Sequence, residues 1–465
     1  MLDHDSASPL DLSDTIVAVA TAPGRGALAI VRLSGPRAHS IARATLDRWP
    51  DAARRVVVSP LRDASGAELD QVVVTRYDAP ASYTGEDAVE FVTHGGSVVS
   101  ATVSAALVAR GARPAAPGEF TRRAVLNGKM DVLQAEATSD LVDARSRAAQ
   151  SLALRQLDGG LSRRVLELRS QVVELEALIA YDIDFPEEDD GPIAPARIAA
   201  AADGVIGALE RLLATSKTGE LVRDGALVVL AGAPNVGKSS LFNALLGESR
   251  AIVTNIPGTT RDAIEAVIDT TDVPLRLVDT AGIREATDVV ERLGVEVSGS
   301  YVARAAVVLA CGDDNDSMRA IGTGLLGRTN APVLAVRTKS DLAPVSDGAL
   351  ESAKQVLGAR AAIAVSAERG DGLSELVDLI QSVIAGDAVA DLDAPILTRE
   401  RHRFAIGRAR DEVAEFLDRW RHSDVPAPVA AVHLHDAVAA LEELIGVVDV
   451  EHVLDEVFRR FCVGK

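Results

Sequence analysis

A chain of 465 residues with 48% apolar side chains has the length and hydrophobic content for roughly two to four ordinary domains. Its two cysteines, Cys311 and Cys462, exclude a disulfide framework, and no C-x-x-C or His/Cys cluster has zinc-binding spacing. A formal charge of −20 excludes a protein that grips nucleic acid over its whole surface, because affinity for phosphates comes from clustered Lys and Arg.

The N-terminus, MLDHDSASPLDLSD, is acidic and polar where a secretory signal needs positive charge and then an apolar stretch. No run of 18 or more apolar residues follows, so a cytoplasmic protein with no membrane partner is expected. Residues 15 to 130 read as strands alternating with helices. TIVAVAT and ALAIVRLSG are apolar runs closed by Pro or Gly, and QVVVTRY and AVEFVTH alternate or run apolar over strand length. From Ala20 to Lys129 there are 14 Arg or Lys against 10 Asp or Glu, which leaves room for a basic or neutral face on an acidic body.

Beyond Met130 the period changes. Leu161, Val165, Leu168, Val172, Leu175 and Ile179 recur at spacings of 4, 3, 4, 3 and 4, one side of a long helix. The acidic turn DIDFPEEDDGP, with Pro186 and Pro192, ends it. From about Leu227 to Ala385 apolar strands again alternate with helices, as in a parallel sheet covered on both faces. Helical periodicity resumes near Thr398. It runs to a last helix whose stripe is Val450, Val453, Leu454, Val457, Phe458 and Phe461, with Asp449 as its cap. The expectation is a multidomain α/β plus α chain in which an α/β module, residues 222–386, interrupts a helical domain of residues 130–221 and 387–465, after an N-terminal α/β domain of residues 1–129.

Within that module LVVLAGAPNVGKSSLFNALLG places a buried strand, the loop Gly232-x-x-x-x-Gly237-Lys238-Ser239 and a helix in the order that a phosphate-binding P-loop requires. Glycines let backbone N–H groups face the phosphates, the helix N-terminus adds positive potential, Lys238 reaches the terminal phosphates and Ser239 ligates Mg²⁺. Asn235, Val236 and Ser240 complete the expected loop contacts. LRLVDTAG puts Asp279, Thr280, Ala281 and Gly282 at a strand end, where Asp279 holds the Mg²⁺ shell and the Gly282 amide senses the γ-phosphate. Lys339 and Asp341 of PVLAVRTKSD follow the Asn-Lys-x-Asp pattern, whose carboxylate accepts two hydrogen bonds that guanine offers and adenine does not. Ser366 and Ala367 of IAVSAERGDG supply a second guanine contact. The pattern departs at Thr338, which stands where Asn normally braces the loop and the base, so weaker nucleotide affinity is expected. Switch I is TNIPGTTRD, comprising Thr254, Asn255, Ile256, Pro257, Gly258, Thr259 and Thr260, with Thr260 completing the Mg²⁺ shell. Ile283 replaces the Gln that orients water in Ras-type enzymes, which leaves Glu285 and Glu291 as candidates or as plain solvated carboxylates. His433 and His435, two apart on an expected helix, face apart and make no metal pair, and none of the eight histidines is assigned a role.

GAPNVGKSSLFNALL, IPGTTRD, DTAGIREATDVVER, PGEFTRRAVLNGKMDVLQAEATSDLVDA and the C-terminal FCVGK together resemble the MnmE (TrmE) family of tRNA modification GTPases, from about Asp14 to Lys465. The resemblance implies an N-terminal domain that dimerises and binds tetrahydrofolate, a discontinuous helical domain and an inserted Ras-like G domain. It implies a homodimer joined to the flavoprotein MnmG in a heterotetramer. Together they install a carboxymethylaminomethyl- or aminomethyl-type group on carbon 5 of the wobble uridine of certain tRNAs, from 5-formyltetrahydrofolate or a related folate. It assigns K⁺ to Asn235, Thr254, Ile256 and Thr259, in the role an arginine finger has elsewhere, and it favours Glu291 over Glu285 for orienting water. Arg32, Glu90, Lys129 and Lys465 match the folate site. A carboxylate such as Glu90 suits the paired N–H donors of a pterin, and Arg or Lys suits the carboxylates of the glutamate tail. Cys462 would then lie near the one-carbon unit as a catalytic thiol, unless the last helix simply ends there with Gly464 as its cap. Two other classes compete: a regulatory or ribosome-assembly GTPase without folate chemistry, and a folate transferase with a decayed G domain, against which Lys238, Ser239, Thr260 and Asp279 stand.

Overall fold

The computed structural model describes residues 13–184, 194–248, 264–270, 273–279, 301–325, 327–388, 394–422, 427–446 and 464. The chain divides into two compact units, Met1–Ser139 with Leu441–Lys465, and Asp140–Ala440.

The first unit is built on a six-stranded sheet of order β3-β4-β5-β2-β1-β6. Its strands are β1 (Ile16–Val19), β2 (Leu28–Ser34), β3 (Val56–Arg62), β4 (Glu68–Tyr77), β5 (Ala88–His94) and β6 (Arg113–Pro114). Four of these coincide with the apolar runs read from the sequence. β3 does not, because VVVSPLR carries a proline; it is tolerated because β3 is the edge strand, where Pro60 withholds no hydrogen bond from a second neighbour. The period-2 alternation sends Val31, Leu33, Val72, Val74, Val89 and Phe91 into a core closed by Val103 and Leu107 of the helix Ser97–Ala109. The same alternation puts Arg32 and its register partner Glu90 on the opposite face.

The segment between β4 and β5 is held at both ends. His39 lies between Asp78 and Asp87, with N···O distances of 3.7 and 3.5 Å, so one histidine has a structural task that the sequence did not reveal. At its far side Glu86 joins a buried cluster in which the fully buried Arg123, on the helix Glu119–Leu126, donates to Asp14 at 2.5 Å and to Glu86 and Glu119 at 3.0 Å. Arg113 completes the cluster on Asp14 and Glu119 at 2.6 and 2.7 Å.

The second unit combines helices with a second six-stranded sheet. The predicted stripe is fully internal: Leu161, Val165, Leu168, Val172, Leu175 and Ile179 are all buried on the helix Gly160–Asp184. This helix packs on Pro195–Ala214, and that one on Glu400–His422. The last two run antiparallel, since the Trp420 indole donates to the Pro195 carbonyl at 3.3 Å while the Leu397 amide donates to the Thr215 hydroxyl at 3.1 Å. His433 pairs with Glu412 at 2.7 Å, and His435 is exposed.

The sheet has the order β12-β11-β10-β7-β9-β8. Its strands are β7 (Ala226–Ala231), β8 (Ile264–Ile268), β9 (Leu275–Asp279), β10 (Val307–Gly312), β11 (Val333–Arg337) and β12 (Ala361–Ala364), all parallel except β8. The chain enters this module from the helix Ser216–Asp224 and leaves through residues 394–399, and the two crossings are fastened together. A Cβ on Gly219 would overlap the Leu397 carbonyl, so only glycine lets them approach. Asp140 accepts from Arg223 at 3.1 Å on one crossing and from Arg399 at 2.6 Å on the other.

Candidate functional site

The parallel strands of the second sheet end on one edge, and the loops that follow them carry the predicted nucleotide residues, as open α/β sheets place their ligands. After β7 the loop takes left-handed backbone at Asn235 (φ 63°) and Gly237 (φ 96°), which turns successive N–H groups into one concavity. Asparagine is among the few side chains that adopt this conformation readily. A Cβ on Gly232 would overlap the Cys311 carbonyl of β10, which ties that glycine to close packing beneath the loop. Lys238, almost fully buried, donates to the Gly232 and Ala233 carbonyls at 3.0 and 2.8 Å and so arches over the loop. It also opens the helix Lys238–Glu248, whose N-terminus adds positive potential.

The Ser239 hydroxyl donates to Asp279 Oδ2 at 2.6 Å. Two oxygen donors held together beside a phosphate loop fit a hard divalent cation such as Mg²⁺.

The base side is equally connected. The Thr338 hydroxyl donates to the buried Val236 carbonyl at 2.5 Å, so threonine itself braces the loop. A hydroxyl one atom shorter than the amide thus reaches the loop, because β11 delivers Thr338 directly against Val236. Lys339, also in left-handed backbone (φ 55°), donates to the Asn235 carbonyl and to Asp313, both at 2.8 Å. Asp341 accepts from the Ser366 hydroxyl at 2.8 Å. A cavity of about 340 Å³ lined by Gly237, Ser240, Thr338, Lys339, Asp341 and Ala367 lies between them. Asp313 was not foreseen, since nothing in the spacing marks a carboxylate just past β10. Cys311 beneath the loop is fully buried; burial pushes its thiol up to about 12, which removes it as a nucleophile.

In the N-terminal sheet Arg32 donates to Glu90 at 3.0 Å, and the Tyr77 hydroxyl donates to the other Glu90 oxygen at 3.2 Å. Arg32 also lies over the Tyr83 and Phe120 rings, 5.2 and 5.6 Å from their centres. Arg32 and Glu90, both expected in the folate site, are partners across two strands. Lys129 donates to the Pro80 carbonyl at 3.0 Å, on the same loop as Tyr83. The aromatic walls were missed because they come from a loop and a helix with no shared spacing.

Thr254, Asn255, Ile256, Pro257, Gly258, Thr259, Thr260, Thr280, Ala281, Gly282, Ile283, Glu285, Glu291, Cys462 and Lys465 lie outside the described residues. Gly464 is described and buried. Its φ is 101°, and a Cβ there would overlap the Val19 carbonyl at the end of β1.

A phosphate loop, a Ser239–Asp279 cation pair and an Asp341-centred base pocket on the carboxyl edge of a parallel sheet define a Ras-like GTP-binding domain, inserted between helical segments and preceded by a separate α/β domain. A family model for the MnmE helical domain matches residues 132–462, and one for the N-terminus of the GTP-binding protein TrmE matches residues 15–129. The chain belongs to the MnmE family of tRNA modification GTPases. It is 41% identical over 470 residues to the tRNA modification GTPase MnmE of Heliobacterium modesticaldum, covering 98% of this chain and 100% of that protein. The Moorella thermoacetica protein of the same name is 39% identical with the same coverage. A Neisseria meningitidis relative is 40% identical over 97% of this chain and 99% of its own length. Among solved structures, the G domain of the T. maritima FeoB iron transporter is 28% identical, covers 34% of this chain and 98% of that one, and has a TM-score of 0.27.

Proposed function

We propose that this chain hydrolyses GTP in order to modify carbon 5 of the wobble uridine of certain tRNAs, acting as a homodimer with a flavoprotein partner, MnmG, in the cytoplasm. The working divisions are residues 1–129 for folate binding and dimerisation, 130–221 and 387–465 for the helical domain, and 222–386 for the G domain. Lys238 and the loop amides hold the β- and γ-phosphates, and Ser239, Asp279 and Thr260 surround Mg²⁺. Asp341 and Ser366 read guanine. Asn235, Thr254, Ile256 and Thr259 hold K⁺, whose charge offsets that developing on the transferred phosphoryl group. Glu291 orients the attacking water.

The observation that carries the folate part is the Arg32–Glu90–Tyr77 network roofed by Tyr83 and Phe120. A carboxylate at the base of an aromatic-walled site suits a flat heterocycle with paired N–H donors. Gly464 adds support, since it meets Val19 one register step from the Ala18–Arg32 pair.

The test is mass analysis of wobble nucleosides in cells whose only copy carries Glu90→Gln. The amide keeps the shape of Glu90 but loses its charge. Modification should fall at least tenfold while the purified variant retains folding and GTP turnover. Normal modification would show that Glu90 does not serve the folate chemistry.

A further inference from the structure

Residues 399 to 410, RERHRFAIGRAR, hold five arginines and one glutamate in a chain whose formal charge is −20. Arg399 is engaged with Asp140. The rest lie on the helix Glu400–His422, which buries His402, Ala405, Ile406 and Ala409 on one side. On the other side, at helical spacing, it presents Arg403, Phe404, Gly407 and Arg408. Phe404 is 64% exposed, and the Arg408 guanidinium lies 5.6 Å from its ring centre. Arg403 pairs with Glu400 at 3.3 Å, an exposed contact that a phosphate readily displaces.

Gly407 is the informative residue. Glycine is the poorest helix former after proline, and it sits here well inside a 23-residue helix. A Cβ at this position would meet nothing within 4 Å, so neither packing nor backbone conformation asks for glycine. What it leaves is open helix backbone beside Arg403, Phe404 and Arg408, next to an exposed phenyl ring on which Arg408 already lies and against which a planar group could stack. Unpaired RNA bases are recognised in this way, by stacking on aromatic rings while arginines neutralise the flanking phosphates. Arginine and aromatic side chains also suit a protein partner, but a run of five arginines in a chain of net charge −20 is matched best by a polyanion.

We propose that the Arg403–Phe404–Gly407–Arg408 stripe binds an unpaired segment of the tRNA substrate. The inference rests on the tRNA activity proposed above. Its test is fluorescence anisotropy of the full-length chain with a labelled, unmodified tRNA transcript, for wild type, Arg403→Glu/Arg408→Glu, Phe404→Ala and Gly407→Gln.

The charge reversal should weaken binding at least tenfold and flatten the slope of log affinity against log salt by about two, one per lost phosphate contact. Phe404→Ala should weaken it roughly tenfold, the scale of one stacked base. Gly407→Gln separates binding from folding: it should raise the melting temperature by supplying a better helix former and still weaken tRNA binding. Wild-type affinity in all three variants would overturn the stripe and leave the tRNA activity standing. Variants that bind tRNA normally but fail to bind the flavoprotein would reassign the face to a protein contact and overturn it as well. A wild-type chain that binds no tRNA also overturns it, and the wobble-nucleoside measurement then decides separately whether the activity falls too.

Discussion

Thr338 shows how little a residue's type reveals before its neighbours are known. In the sequence it is a departure from Asn-Lys-x-Asp; in the fold its hydroxyl supplies the hydrogen bond that holds the buried Val236 carbonyl in place. Removing one partner of a buried pair leaves the other unsatisfied at a cost of about 1–3 kcal/mol. Thr338→Val keeps the shape and deletes the hydroxyl, so the domain should lose about that much stability and GDP and GTP should bind more weakly, because the loop that holds their phosphates is no longer braced. Titration with a fluorescent guanine nucleotide reads this directly. Unchanged affinity would mean that the loop is held by Lys339 alone, through its bond to the Asn235 carbonyl.

The helix Glu119–Leu126 is placed by a buried charge as well as by the buried Phe120 and Ala124, since Arg123 is fully buried among Asp14, Glu86 and Glu119. Burial opposes ionisation of Asp14 and Glu119, but bonds to Arg113 and Arg123 overcome it and hold both carboxyls below their ordinary range. Groups with lowered folded-state values contribute stability that is complete above their unfolded values, about 4, and is lost as pH falls through the folded ones. The wild-type N-terminal unit should therefore be indifferent to pH between 8 and 5 on this account and weaken below about 4. Arg123→Met removes the central cation from buried carboxylates, which costs about 3–5 kcal/mol. Their values then rise, so the sign reverses, and the variant should lose less stability at pH 5 than at pH 8. Urea unfolding at the two pH values checks this; an equal deficit at both would show that Arg113 alone keeps the carboxylates ionised.

At the scale of the molecule, the G domain hangs on two crossings fastened by Asp140 and by the close approach of Gly219 to Leu397. Its chemistry has no arginine finger in the expected places and no glutamine after Asp-Thr-Ala-Gly, where Ile283 stands. A monovalent cation at Asn235 would supply the missing charge. GTP turnover should then be at least tenfold faster in K⁺ than in Na⁺ at equal ionic strength, and steady-state phosphate release in the two salts measures it. Equal rates would remove the ion from the reaction and return the role to a side chain.

The nucleotide site was legible in the sequence because each of its parts is local. A strand, a turn and a helix within about twenty residues fix the P-loop, and the Lys339–Asp341 and Ser366–Ala367 pairs each follow a strand end, so spacing alone carries the chemistry. The long apolar stripe from Leu161 to Ile179 was legible for the same reason, as helical period is a local property. What joins distant segments could only be decided by the fold. Arg123 meets Asp14 across 109 positions, Lys339 meets Asn235 across 104, and Asp140 meets Arg399 across 259. Such pairs leave no periodic trace, because sheet register and helix packing set them. The sequence by itself determined which chemistry the chain can perform on GTP; the tertiary structure decided that Thr338 braces the loop, that Arg32 and Glu90 are partners, and that arginines hold the N-terminal domain together, since buried charge is tolerated only where packing brings its counter-charge within hydrogen-bond reach.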